Sequence, residues 1–125
     1  MRHALALDLR DDPLLIEQYE LHHKQVWPDV LSHLRSHGVL DMEIYRLGTR
    51  LFMWMETDDA TYDPARFAAA ARESPRVCEW EALMWRFQAP TRWTLPGEKW
   101  APMTRLFSLR DCSDTSTGSG RVQTP

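Results

Sequence analysis

The chain has 125 residues, 43 % of them hydrophobic, and a formal net charge of −3, which is one domain's worth of sequence with enough apolar material for a core. Its basic residues are scattered, so nothing marks it for nucleic acid, and no apolar run reaches the length of a membrane span. The opening "MRHALALDLR" is charged too soon and apolar too briefly for a signal peptide, which makes a cytoplasmic location the expectation.

"HALALDL" (3–9) reads as a strand. Asp12 and Pro13 then form an N-cap and first helical position. Leu14, Leu15, Gln18, Leu21 and Gln25 run along one side of the helix that follows, and Tyr19, His23 and Trp27 lie four apart on another. Pro28 disfavours helical geometry at Trp27, so the helix kinks or restarts there. Val30, Leu31 and Leu34 continue an apolar stripe, and Gly38 reads as the stop. "VLDMEIYRL" (39–47) and "LFMWMET" (51–57) predict a hairpin across "GTR". "YDP" (62–64) and "SP" (74–75) each start a helix. The second of these, "RVCEWEALMWRFQ", has Val77, Trp80, Leu83, Met84 and Phe87 on its buried side. Residues 89–100 form a loop, 102–109 a last strand, and 111–125 a disordered tail poor in large apolar residues. The predicted fold is therefore α+β, a ferredoxin-like β-α-β-β-α-β arrangement with one antiparallel sheet, over residues 1–110. Both phases of the two hairpin strands carry apolar residues, so the sheet face away from the helices needs a cover. Pairing with the sheet of a second copy, a homodimer of the dimeric α/β-barrel type, provides one.

The two cysteines, Cys78 and Cys112, have no metal-finger spacing and read as free thiols. The chemistry-bearing stretch is "YELHHKQVWPDV" (19–30). Tyr19 and His23 are neighbours at i and i+4, and histidine exchanges protons near neutral pH. A tyrosine hydroxyl beside it suits a hydroxylated ligand, and Trp27 extends the face. The spacing alone equally fits a half-buried helix histidine with two packing aromatics. His22 points roughly 100° away around the helix and reads as solvated or capping. His33 and His37 have the spacing of a zinc pair, but Leu34 stands where a catalytic Glu belongs, so they read as a solvated face. "PGEKWAPM" (96–103) is a loop in which Lys99 and Trp100 either close over a ligand or anchor a turn. No nucleotide-binding loop or nucleophile elbow appears, and no cofactor or metal is expected.

The run "YELHHKQVWPDVLSHLRSHGVLDMEIYRL" resembles the L-rhamnose mutarotase family, whose pattern is Tyr, three residues, His, three residues and Trp-Pro, then a helix ending in His-Gly and a strand with Ile-Tyr. The resemblance extends by order of elements from about residue 2 to about 109 and is dense over 19–45. It implies a cofactor-free dimer that interconverts the α and β anomers of a 6-deoxy-hexose, with His23 catalytic and Tyr19 contacting the monosaccharide. It also implies a changed sugar wall. Met42 stands where rhamnose-specific members carry Tyr, and Glu81 and Ala82 stand where they carry a Trp pair, with Trp80 just before. The remaining substrate contacts expected are Trp80, Met42, Glu81 and Trp100, with Met42 facing the C6 methyl. "EWEALMW" and "PGEKW" resemble a branch associated with L-fucose, so L-fucose is favoured over L-rhamnose. The rival expectations are a cofactor-free or haem-dependent monooxygenase on the same dimeric sheet and a non-catalytic sugar-binding module.

Overall fold

In the computed structural model, which describes residues 1–111, all four helices begin at a proline. The strand β1 (Arg2–Leu9) leads into α1 (Pro13–His22) and α2 (Pro28–Ser36). The hairpin β2 (Val39–Leu47) and β3 (Arg50–Thr57) follows, then α3 (Pro64–Glu73), α4 (Pro75–Trp85) and two short strands, β4 (Gln88–Ala89) and β5 (Ala101–Pro102). Proline suits a first helical turn because its missing N–H has no partner to lose there. The Asp12 carboxylate accepts from the N–H of Leu14 at 2.9 Å, the Asp63 carboxylate from that of Ala65 at 3.0 Å, and the Ser74 hydroxyl from that of Val77 at 3.3 Å. At Trp27 the backbone is extended (φ −61°, ψ 138°), as the residue before a proline prefers. The helix therefore stops at His22 and restarts at Pro28, with His23 as its C-cap.

The sheet is antiparallel with strand order β2-β3-β1-β4, and β5 also pairs with β1. That order is the ferredoxin-like one, with a split βαβ unit. The fourth strand position is shared. β4 covers Asp8 and Leu9, β5 covers Leu5 and Ala6, and residues 90–100 loop out between them. The strand expected over 102–109 is therefore much shorter, extended beyond Pro102 only by the Met103 N–H donating to the Ala4 carbonyl at 2.8 Å. The final helix also ends sooner than "RVCEWEALMWRFQ" suggested, releasing Phe87 as a buried link and Gln88 into the sheet. Cys78 is a free, exposed thiol. Cys112 and the expected tail beyond Asp111 lie outside the described residues.

Cross-strand register puts His3, Leu5, Leu7, Met42, Ile44, Leu51, Met53 and Met55 on one face, beneath the helices. Two packed groups form there. One is built on Leu9, Tyr19, Val30, Leu51, Trp80, Met84 and Phe87, the other on Val39, Met53 and Met55. Leu34, Ile44 and Trp100 pack against both. In α1 the interior contact comes from Tyr19 with Leu15 and Ile16, while Leu14 and Leu21 are exposed. Gly38 has φ +91°, and a Cβ there would lie 2.8 Å from the Tyr62 backbone nitrogen, so only glycine fits the α2–β2 turn. The opposite sheet face holds Tyr45, Phe52 and Trp54, lining a shallow concavity of about 440 Å³ with Glu43.

Candidate active site

His23 is fixed by the end of α1. Its Nδ1 lies 2.9 Å from the Tyr19 carbonyl, to which the neutral ring donates. That bond assigns the proton to Nδ1 and leaves Nε2 as the free acceptor. The ring sits 4.3 Å from the Tyr19 ring and meets Trp80 edge-on at 5.7 Å. Burial pushes the imidazole pKa below its usual value, against a smaller raising effect from the Tyr19 carbonyl, and the neighbouring His22 lowers it further. His23 is therefore neutral at pH 7, ready to take a proton.

Tyr19 is 3 % exposed. Burial raises its phenol pKa to about 12; a hydrogen bond from Gln88 works the other way, and the charge of Glu81 adds to the rise. The hydroxyl stays protonated and acts as a neutral donor. Gln88 Nε2 donates to it at 3.3 Å. Gln88 had read as the end of a helix. A lone amide in the apolar run "WRFQAP" was its only signal, and its partner is 69 residues away.

The other expected contacts divide. Trp80 is 5 % exposed, wedged between His23 and Trp27, whose ring it meets at 5.2 Å. It therefore braces His23 as core. Arg76 lies 4.0 Å above Trp27 and closes that stack. Met42 is half-buried beside Met55 in the second packed group, and Trp100 spans both groups, so these two share the helix side of the sheet with Tyr19 and His23. Glu81 is exposed at the rim, where its carboxylate accepts from Lys99 Nζ at 2.8 Å. Lys99 also lies 5.3 Å from the Trp85 ring, so the loop 90–100 is pinned to α4 next to Trp100.

His22 and His33 are more covered than the sequence suggested. His22 is half-buried with its ring 5.5 Å from Phe87. His33 packs at 4.4 Å on Phe67, with Nε2 buried and without a hydrogen-bond partner among the described residues. The solvated face expected for His33 and His37 is thus partly covered, because α3 brings Phe67 against it. His37 Nδ1 lies 3.0 Å from the His33 carbonyl, a bond within one helix turn. Among the described residues no cluster of three or more His, Cys, Asp or Glu could hold a metal ion. Among the described residues no helix is long and apolar enough to cross a membrane.

Residues 2–109 match the family model described as L-rhamnose mutarotase. The chain is 44 % identical over 120 residues to an L-fucose mutarotase of Xanthomonas campestris pv. campestris, covering 94 % of this chain and 95 % of that protein. It is 40 % identical over 112 residues to a UPF0734 protein of Dictyostelium discoideum, covering 86 % and 88 %. In fold it is similar to an L-rhamnose mutarotase from Formosa agariphila (TM-score 0.63, 19 % identity, 87 % of this chain and 98 % of that one). Tetracenomycin F2 cyclase from Streptomyces glaucescens shares the fold at TM-score 0.56 and 18 % identity, over 86 % of this chain and 97 % of that one. The match over nearly the whole chain, at this identity, means that the chain belongs to the L-rhamnose mutarotase family of sugar isomerases.

Proposed function

We propose that the protein interconverts the α and β anomers of a 6-deoxy-hexose, with L-fucose preferred over L-rhamnose, and that His23 moves the proton. The observation that carries this is the Tyr19–His23 pair. Nδ1 is anchored on a carbonyl, Nε2 has no hydrogen-bond partner among the described residues, and a neutral phenol stands beside the ring. Opening a hemiacetal removes a proton from the anomeric hydroxyl and adds one to the ring oxygen. Neutral His23 takes the anomeric proton at Nε2 as the bond from C1 to the ring oxygen breaks, with its electron pair going to that oxygen. The imidazolium then returns the proton to the ring oxygen. Rotation about C1–C2 and the reverse steps close the other anomer. His23 thus acts first as general base and then as general acid. Positioned proton transfer of this kind supplies on the order of 10²–10⁴-fold.

Trp100 and Met42 supply apolar wall in this reading, the latter for the C6 methyl, and Glu81 stays at the rim with Lys99. The preference for L-fucose rests on the 44 % identical relative. A homodimer through the open sheet face, acting in the cytoplasm, completes the proposal.

The test is NMR exchange between the anomeric proton signals of L-fucose and of L-rhamnose, with and without protein. Exchange should be faster for L-fucose, fall to the uncatalysed rate in His23→Ala, and change little in His22→Ala. No acceleration for either sugar removes the mutarotase assignment, and full activity in His23→Ala removes the mechanism.

A further inference from the structure

Gln88 is 2 % exposed, yet its Oε1 accepts no hydrogen bond among the described residues. A buried amide oxygen left unpaired forfeits the hydrogen bond it would have with water, so native interiors rarely keep one without a use. Its other end is committed, since Nε2 donates to the Tyr19 hydroxyl. The phenol oxygen is thereby an acceptor, and its own proton has no acceptor among the described side chains. Two unused functions thus lie side by side, one donor (Tyr19 O–H) and one acceptor (Gln88 Oε1). The fold brings them together. Gln88 pairs with Leu9 at the edge of β1, on the face beneath the helices, and Tyr19 descends onto it from α1.

We infer that Gln88 is a substrate-binding residue, which with Tyr19 clamps a single ring hydroxyl of the sugar. A hydroxyl both donates and accepts, so it complements this pair, giving its proton to Gln88 Oε1 and receiving that of Tyr19. A methyl group or bare methylene satisfies neither. Sites built to hydrogen-bond a hydroxyl reject analogues lacking it far more strongly than apolar pockets reject an extra methylene. The clamp lies beside His23, so fixing one hydroxyl sets the ring against Nε2. This inference rests on the proposed sugar substrate but not on catalysis.

The experiment is an NMR titration of the full chain with L-fucose and its 2-, 3- and 4-deoxy analogues, on wild type and Gln88→Met. In wild type one analogue should bind about tenfold or more weakly than L-fucose, and the other two much less so. In Gln88→Met that penalty should shrink to a few-fold, because the acceptor is gone whichever sugar is present. Gln88→Asn withdraws the amide by one methylene with the polarity kept, and should give the same loss of discrimination if the Met variant does not fold. Equal ratios among the sugars in wild type and variants overturn the clamp, leaving Gln88 as a prop for Tyr19. Failure of wild type to bind any of the four overturns it as well. Binding with the expected discrimination but no anomer exchange sustains the clamp and removes the mutarotase reading. Exchange without discrimination does the reverse.

Discussion

His23 and His33 tie stability to pH through the same cause. Burial lowers the pKa of both below the ordinary 6.5, with His37 adding to the fall at His33 and the charge of Glu81 opposing it. Between each depressed folded value and 6.5 the unfolded chain holds a proton that the folded chain rejects. Stability therefore rises with pH across that window, and it is lost as acidification carries the protein from above 6.5 down to the folded values. Tm followed from about pH 8 to about pH 5 should fall on the acid side, and His23→Gln and His33→Gln should each flatten the slope. A Tm that climbs on acidification through this range contradicts the burial of both rings. The same depression keeps Nε2 of His23 available as a base at neutral pH, so the acid limb of the rate profile should lie below pH 6.5.

At the scale of elements, the α2–β2 turn gives a sharp stability test. Gly38 combines φ +91° with the close Tyr62 backbone. Gly38→Ala should cost more than the usual 1 kcal/mol or so of an αL alanine, since backbone cannot swing aside as a side-chain tip can. Asp12→Ala removes a cap and should cost about 1 kcal/mol. Urea midpoints would rank the two, and a Gly38→Ala chain as stable as wild type would mean that the turn relaxes freely. These elements were legible because their signals are local, carried by Asp-Pro and Ser-Pro starts, Gly38, and period-two alternation in the hairpin. Tyr19 and His23 were legible for the same reason, as one helix turn brings them together. The last strand was not. Its length depends on what the edge of β1 can accept, and β4 and β5 divide that edge around the loop 90–100. Gln88 was hidden because its meaning comes from Tyr19 at long range. The contact of Trp80 with Trp27 was hidden too, because it depends on the break before Pro28.

For the whole molecule, the proposed homodimer turns on the open sheet face. Tyr45 (54 % exposed) stacks on Phe52 at 6.2 Å, and Arg2 lies 6.0 Å from the Trp54 ring. Small side chains at Ala4 and Ala6 leave the centre of that face flat. After β5 the chain displays Leu106, Phe107 and Leu109, at 93 %, 69 % and 78 % exposed. A monomer rarely leaves so much apolar surface in water, and in the proposed dimer the sheet face is buried against its own copy about a two-fold axis. Trp54→Glu places a carboxylate in the middle of that contact. Desolvating two such charges without partners costs more than the lost tryptophan area, so this change should convert a dimer to a monomer in sedimentation equilibrium at micromolar concentration. Leu31→Glu, on the separate groove of α2 with Pro28 and Arg35, should leave the dimer intact. The helix-side residues Tyr19, His23 and Gln88 lie on the opposite face of the sheet. If the Trp54→Glu monomer keeps full anomer exchange, the site is complete in one chain; if exchange falls with dissociation while folding persists, the partner helps to hold or to finish it. A wild type that sediments as a monomer would leave the apolar face without the occupant assigned to it.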